Sequence, residues 1–103
     1  MNLQILENIR TMKRRLLPND KMILFGSQAR GDARPDSDWD LLVVLNKQER
    51  AIDDYHKYRH PFVELGWSLG QYFSTKIFTI SEWEKQKPTL FYKNVENEGV
   101  EII

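Results

Sequence analysis

Residues 39–45, Trp-Asp-Leu-Leu-Val-Val-Leu, are apolar at every position but one. So short a run, rich in branched side chains, reads as a largely buried strand. It carries Asp40 at its start. A second apolar run, Met22 to Phe25, reads as another buried strand and stops at Gly26. Upstream, Leu3, Ile5, Leu6, Ile9, Met12, Leu16 and Leu17 recur at helical spacing and predict an amphipathic helix over 3–17. Lys13, Arg14 and Arg15 fall in its last turns, where cations suit the helix dipole, and Pro18-Asn19-Asp20 ends it.

Downstream, residues 48–60 predict a polar helix, interrupted at Pro61 and resuming over 62–69 before Gly70. Tyr72 to Ile80 alternates loosely and predicts a third strand. Ser81-x-x-Glu84 has the form of a capping box. Pro88 suits the first turn of a last helix reaching about Asn97. Gly99 breaks that helix, and Val100 to Ile103 adds a short edge strand. The order predicts an α/β (α+β) fold: a small mixed sheet with helices packed mainly on one face, in a single domain over 1–103.

Fifteen basic and fifteen acidic residues cancel, so there is no bulk attraction for nucleic acid or an anionic membrane. The chain has no cysteine, which excludes disulfide scaffolds and thiolate metal sites. Met1 to Glu7 lacks the pattern of a secretory leader, and no apolar run approaches a membrane span; a cytoplasmic protein is the expectation. Three Trp, five Phe and four Tyr are more aromatic side chains than so small a domain can bury completely. The expectation is an exposed apolar patch serving self-association or a partner helix.

The chemistry-bearing residues lie in and between the first two strands. Asp38 and Asp40 stand at i and i+2, so a strand projects both carboxylates to one side and Trp39 to the other. Alone, the pair also reads as a solvated turn in which Asp36, Ser37 and Asp38 open a strand. Beside a core, two close carboxylates repel each other and lose hydration; a divalent cation relieves both, and carboxylate oxygens suit Mg²⁺. The preceding loop begins Gly26-Ser27 after a strand. Glycine permits close approach, a helical turn after it aims free N–H groups at an anion, and Arg30 adds a forked donor suited to phosphate. Alone, Gly-Ser after a strand is an ordinary turn. Together, loop and carboxylates suit a nucleoside triphosphate bridging loop and metal.

The segments Gly26-Ser27-Gln28-Ala29-Arg30-Gly31 and Ser37-Asp38-Trp39-Asp40-Leu41-Leu42-Val43 resemble the signature of the DNA polymerase β-like nucleotidyltransferase superfamily, in its minimal branch. The resemblance implies transfer of a nucleoside monophosphate from ATP or another NTP to a hydroxyl with Mg²⁺, two ions being possible. It places Gly26 and Ser27 on the β- and γ-phosphates, with Arg30 and Ser37 in the nucleotide site, and makes Asp38 and Asp40 the metal ligands. It also implies a small helical partner of the HEPN class in a toxin–antitoxin pair.

The family's third carboxylate is missing. The third strand, Tyr72 to Ile80, contains no acid, and Ser74 stands at the corresponding place by counting back from Phe78-Thr79. Glu64 is the nearest acid on the preceding helix. Two functions therefore follow: a Mg²⁺-dependent adenylyl transfer to a protein hydroxyl, and a catalytically degenerate partner that acts on a helical protein by contact alone. Aminoglycoside modification is disfavoured, because the chain contains no second domain to bind the drug. His56 and His60 have i, i+4 spacing, but no further ligand accompanies them.

Overall fold

The computed structural model describes residues 1–103. Its helices are α1 (Leu3–Leu16), α2 (Gly26–Arg30), α3 (Asp54–Ser68), α4 (Ile80–Lys85) and α5 (Leu90–Glu98). Its strands are β1 (Lys21–Phe25), β2 (Trp39–Leu45), β3 (Phe73–Thr79) and β4 (Val100–Ile102). They form one mixed sheet in the order β3-β2-β1-β4. β1 pairs antiparallel with β2 and β4, whereas β2 and β3 run parallel.

The interior position of β2 explains its composition. Leu41, Val43 and Leu45 enter the larger core with Ile5, Leu6 and Ile9 of α1 and Phe62 of α3. Leu42 and Val44 face the other way, into a smaller core with Ile23, Trp83 of α4 and Val95 of α5. Phe78, Phe91 and Tyr92 pack against that smaller core. The larger helical layer covers one face, as expected, and a smaller one closes the opposite face. A strand buried on both faces has no reason to alternate in polarity.

Three element boundaries differ from the sequence reading. The helix expected from residue 48 begins at Asp54, and it runs through Pro61 without a break. Proline costs a helix interior about 3 kcal/mol. Phe62 and Val63, buried immediately after it, dock this stretch on the sheet and offset that cost. The capping box lies two residues earlier than expected: Thr79 Oγ1 accepts from Glu82 N at 3.2 Å, and Thr79 N donates to Glu82 Oε1 at 2.9 Å. β3 passes directly into α4, so its last residue is the cap, and the Ser81 hydroxyl donates to the Gln48 carbonyl instead. Pro88 precedes α5, whose cap is Thr89; its Oγ1 accepts from Tyr92 N at 3.1 Å. Gly99 ends α5 as expected: a Cβ there would lie 2.4 Å from the Val95 carbonyl oxygen and 2.5 Å from Ile23 Cγ2.

Of the aromatic side chains, Tyr55, Trp67 and Tyr72 remain exposed. No helix is long and apolar enough to cross a membrane.

At the end of β2 away from Asp40, the buried Asp54 carboxylate accepts from Ala51 N at 2.6 Å and faces Lys47 Nζ at 2.5 Å. Lys47, then the Ala51 N–H, hold its pKa below the usual carboxylate value against the desolvation that opposes them. A depressed folded-state pKa gives stability that is present above the unfolded value and lost as pH falls through the folded one. We predict that Asp54→Asn lowers stability by about 1.5–3 kcal/mol at pH 7. In urea titrations the difference from wild type should shrink as pH falls through the carboxylate range.

Candidate active site

The register brings three strands to one point. Phe25, the last residue of β1, lies opposite Asp40, and Asp40 lies opposite Ser74 of β3. Because β1 is antiparallel to β2, the chain leaves it at Gly26 beside the start of β2. Gly26 has φ +74°, and a Cβ on it would fall 2.2 Å from Asp40 Oδ2. Glycine is thus required twice over, by the left-handed backbone and by the carboxylate against it.

α2 starts at Gly26 itself. Its cap, Phe25, supplies no side-chain acceptor, which leaves the first N–H groups of the turn without an intrahelical partner. Gly31, at φ +83°, ends the helix, its N–H reaching Ser27 O at 3.0 Å. Ser27 is half-buried in the first turn.

Trp39 fixes the orientation of the carboxylates. It is fully buried against Phe73, ring centroids 6.2 Å apart, in the larger core. Alternation then places Asp40 on the opposite face, in line with Leu42 and Val44. Asp38 is exposed just before β2, and Asp40 is half-buried. Burial pushes the Asp40 pKa up, and the Asp38 charge pushes it further; Lys76 and Arg30 oppose the shift without reversing it. No protein hydrogen bond stabilises the ionised form of Asp40.

Two carboxylates, one of them poorly hydrated and without a protein donor, fit a hard divalent cation whose remaining oxygens come from elsewhere. The set stops at two: no His, Cys, Asp or Glu joins them to make a group of three. Ser74 occupies the neighbouring place on β3, where the strand count put it. Glu64 is not near it. It is exposed on α3, paired with His60, and α3 covers the face of the sheet opposite Asp40. His56 is likewise exposed, ring to ring with Tyr55.

Arg30 and Ser37 are brought close but are already engaged. The Arg30 guanidinium donates from Nη1 to Glu98 Oε2 at 3.0 Å and from Nε to Asp32 Oδ2 at 3.2 Å, tying α2 to the end of α5. The Ser37 hydroxyl accepts from Arg34 N at 2.9 Å and shapes the loop before β2.

One residue had no signal in the sequence. Gln28, buried in α2, donates from Nε2 to the Ser37 carbonyl at 3.2 Å. It thereby fastens the glycine-serine turn to the segment delivering Asp38. A glutamine in a polar loop gives no warning that it will be buried.

The family model of the nucleotidyltransferase domain matches residues 6–101. This chain belongs to that family. A Methanocaldococcus jannaschii protein named "Putative protein adenylyltransferase MJ0141" is 31% identical over 83 residues, covering 81% of this chain and 78% of that one. A solved toxin–antitoxin structure with AMP-PNP superposes over 100% of this chain and 73% of its own, with TM-score 0.63 and 18% identity. A Sulfolobus solfataricus structure described as a putative nucleotidyltransferase covers 96% of this chain and 79% of its own, at TM-score 0.57 and 21% identity. Both share the fold, and the family places this chain among minimal nucleotidyltransferases.

Two predictions follow from the packing of Asp40. Gly31→Ala meets open space, so it carries only the left-handed penalty of about 1–2 kcal/mol. Gly26→Ala should lose about 1–3 kcal/mol more through collision with Asp40. Adding Asp40→Ala should remove that excess in a double-mutant cycle read by urea unfolding. Separately, a carboxyl whose folded-state pKa is raised destabilises the fold at pH values where it is ionised. Asp40→Asn should therefore raise the melting temperature at pH 7 and lose that advantage as pH falls below the carboxylate range.

Proposed function

We propose that this chain transfers AMP from ATP to a hydroxyl on a partner protein, with Mg²⁺ held by Asp38 and Asp40. The observation that carries this reading is the Gly26–Asp40 contact. A phosphate-sized anion at the free N–H groups of α2 and a cation on the two carboxylates would be neighbours by construction. Family membership supplies the reaction class, and the names of the relatives support an adenylyl donor and a protein acceptor. The whole chain, 1–103, would act as one catalytic module.

In this reading Gly26 and Ser27 bind the β- and γ-phosphates through backbone N–H groups and the Ser27 hydroxyl. Asp38 and Asp40 hold the metal, whose charge, when bound, offsets the negative charge on the phosphates. Gln28 keeps loop and carboxylates in register. Arg30, whose Nε and Nη1 hold Asp32 and Glu98, ties α5 to α2 and keeps Nη2 for a phosphate. Ser37 acts through the loop it shapes. The acceptor oxygen forms a bond to the α-phosphorus as the bond to pyrophosphate breaks, and the hydroxyl proton passes to water. Ser74 supplies no anionic base at neutral pH; phosphoryl-type transfer depends chiefly on positioning and charge.

The toxin–antitoxin structure with AMP-PNP supports a toxin as the partner, of the HEPN class implied by the sequence resemblance. One observation favours a second reading, a contact-only partner protein: the place beside Asp40 holds Ser74 rather than an acid. Calorimetry separates the two. The expected result is Mg²⁺-dependent binding of AMP-PNP that disappears in Asp40→Asn. No binding at millimolar nucleotide would overturn the enzymatic reading and leave the contact-only one.

A further inference from the structure

In-line displacement places the attacking oxygen and the leaving pyrophosphate on opposite sides of the transferred phosphorus. With the β- and γ-phosphates on α2, the pyrophosphate leaves on the β1 side of Asp40. β1 and β3 flank β2 on opposite sides. The acceptor hydroxyl must then arrive from the β3 side.

A groove of about 410 Å³ lies along that edge. Its lining includes Ser74, Lys76, Arg50, Arg59, Tyr55 and Tyr72, with three cations and no acid. The three cations are unequal. Arg50 is committed: it donates to both Glu82 carboxylate oxygens and to the Ile77 carbonyl. Arg59 lies over the Tyr55 ring, 5.6 Å from its centroid, and reaches the Tyr72 hydroxyl at 3.5 Å. Lys76 is exposed and in no ion pair. It projects from the same face as Asp40, two residues beyond Ser74, and its charge is felt at the Asp40 carboxyl.

We propose that this groove receives the acceptor segment of a protein whose target hydroxyl is flanked by acidic side chains, held by Lys76 and Arg59. The inference rests on the transfer reading above and adds the charge of the substrate. Lys76, unpaired beside Ser74, and Arg59, further along the groove on Tyr55 and Tyr72, favour an anionic visitor and repel a basic one. They also argue against a second copy of this chain at the same edge, since β3-to-β3 pairing would bring like charges together.

The test uses the full chain with Mg²⁺ and AMP-PNP. It is titrated with nine-residue peptides bearing one central serine flanked by Glu or by Lys. The Glu peptide should bind at least tenfold more tightly, weaken with added salt, and shift the Ser74, Lys76 and Arg59 amides in NMR spectra. Lys76→Glu combined with Arg59→Glu should reverse the preference; if that variant does not fold, Lys76→Ala should reduce it several-fold. Equal binding of both peptides by wild type, or a preference untouched by these variants, overturns the inference while leaving nucleotide binding intact. So would a short oligoribonucleotide displacing the Glu peptide from the same amides, or a concentration-dependent dimer shifting them without peptide. Failure to bind AMP-PNP at all would instead overturn the transfer reading, and the inference would fall with it.

Discussion

The contact between Gly26 and Asp40 organises this molecule. A carboxylate oxygen sits where any other residue at position 26 would place its Cβ. That closeness sets how β1 hands the chain to α2, how deeply Asp40 is buried, and how near a helical turn comes to the carboxylate pair. It depends in turn on the antiparallel register of β1 and β2, which puts Phe25 opposite Asp40. Trp39 locks the register from the other face. Buried on Phe73, it cannot exchange sides with its neighbours without emptying the larger core.

The energetics of the two ends of β2 are opposed. At one end Asp54 is buried with a lysine and a backbone N–H on it, and its charge supports the fold. At the other, Asp40 loses hydration beside a second carboxylate and has no compensating donor. The first arrangement serves stability. The second opposes the fold at neutral pH, and a cation held by the two carboxylates would relieve it. The same asymmetry runs across the sheet: α2, with its free N–H groups, stands on the β1 side, and the cations lining the β3 edge stand on the other.

Much of the architecture was legible because burial and spacing act locally. The apolar runs 22–25 and 39–45 marked the two inner strands, and the helical spacing of Ile5, Leu6 and Ile9 marked α1. Ser74 was placed at the family's third-carboxylate position by counting back from Phe78-Thr79, and the parallel register sets it opposite Asp40. Helix boundaries were less legible. The continuous helix through Pro61 depends on Phe62 reaching the core, and the shift of the capping box to Thr79 depends on β3 running straight into α4. Neither is decided by neighbours in sequence.

By itself the sequence determined the family, the strand that carries the carboxylates, and the residue types able to hold a phosphate and a metal. These follow from short-range geometry: period-two alternation, the freedom of glycine, and the side chains at fixed offsets from it. Only the tertiary structure decided which of those groups are free. Arg30 is taken by Glu98, sixty-eight residues away in sequence, Ser37 by its own loop, and Glu64 by the wrong face of the sheet. Gln28 became a clamp, and Lys76 came to stand beside Asp40. The Ser37 contact is local, made with Arg34 three residues away; the others are packing outcomes, fixed by which face of which element meets the sheet.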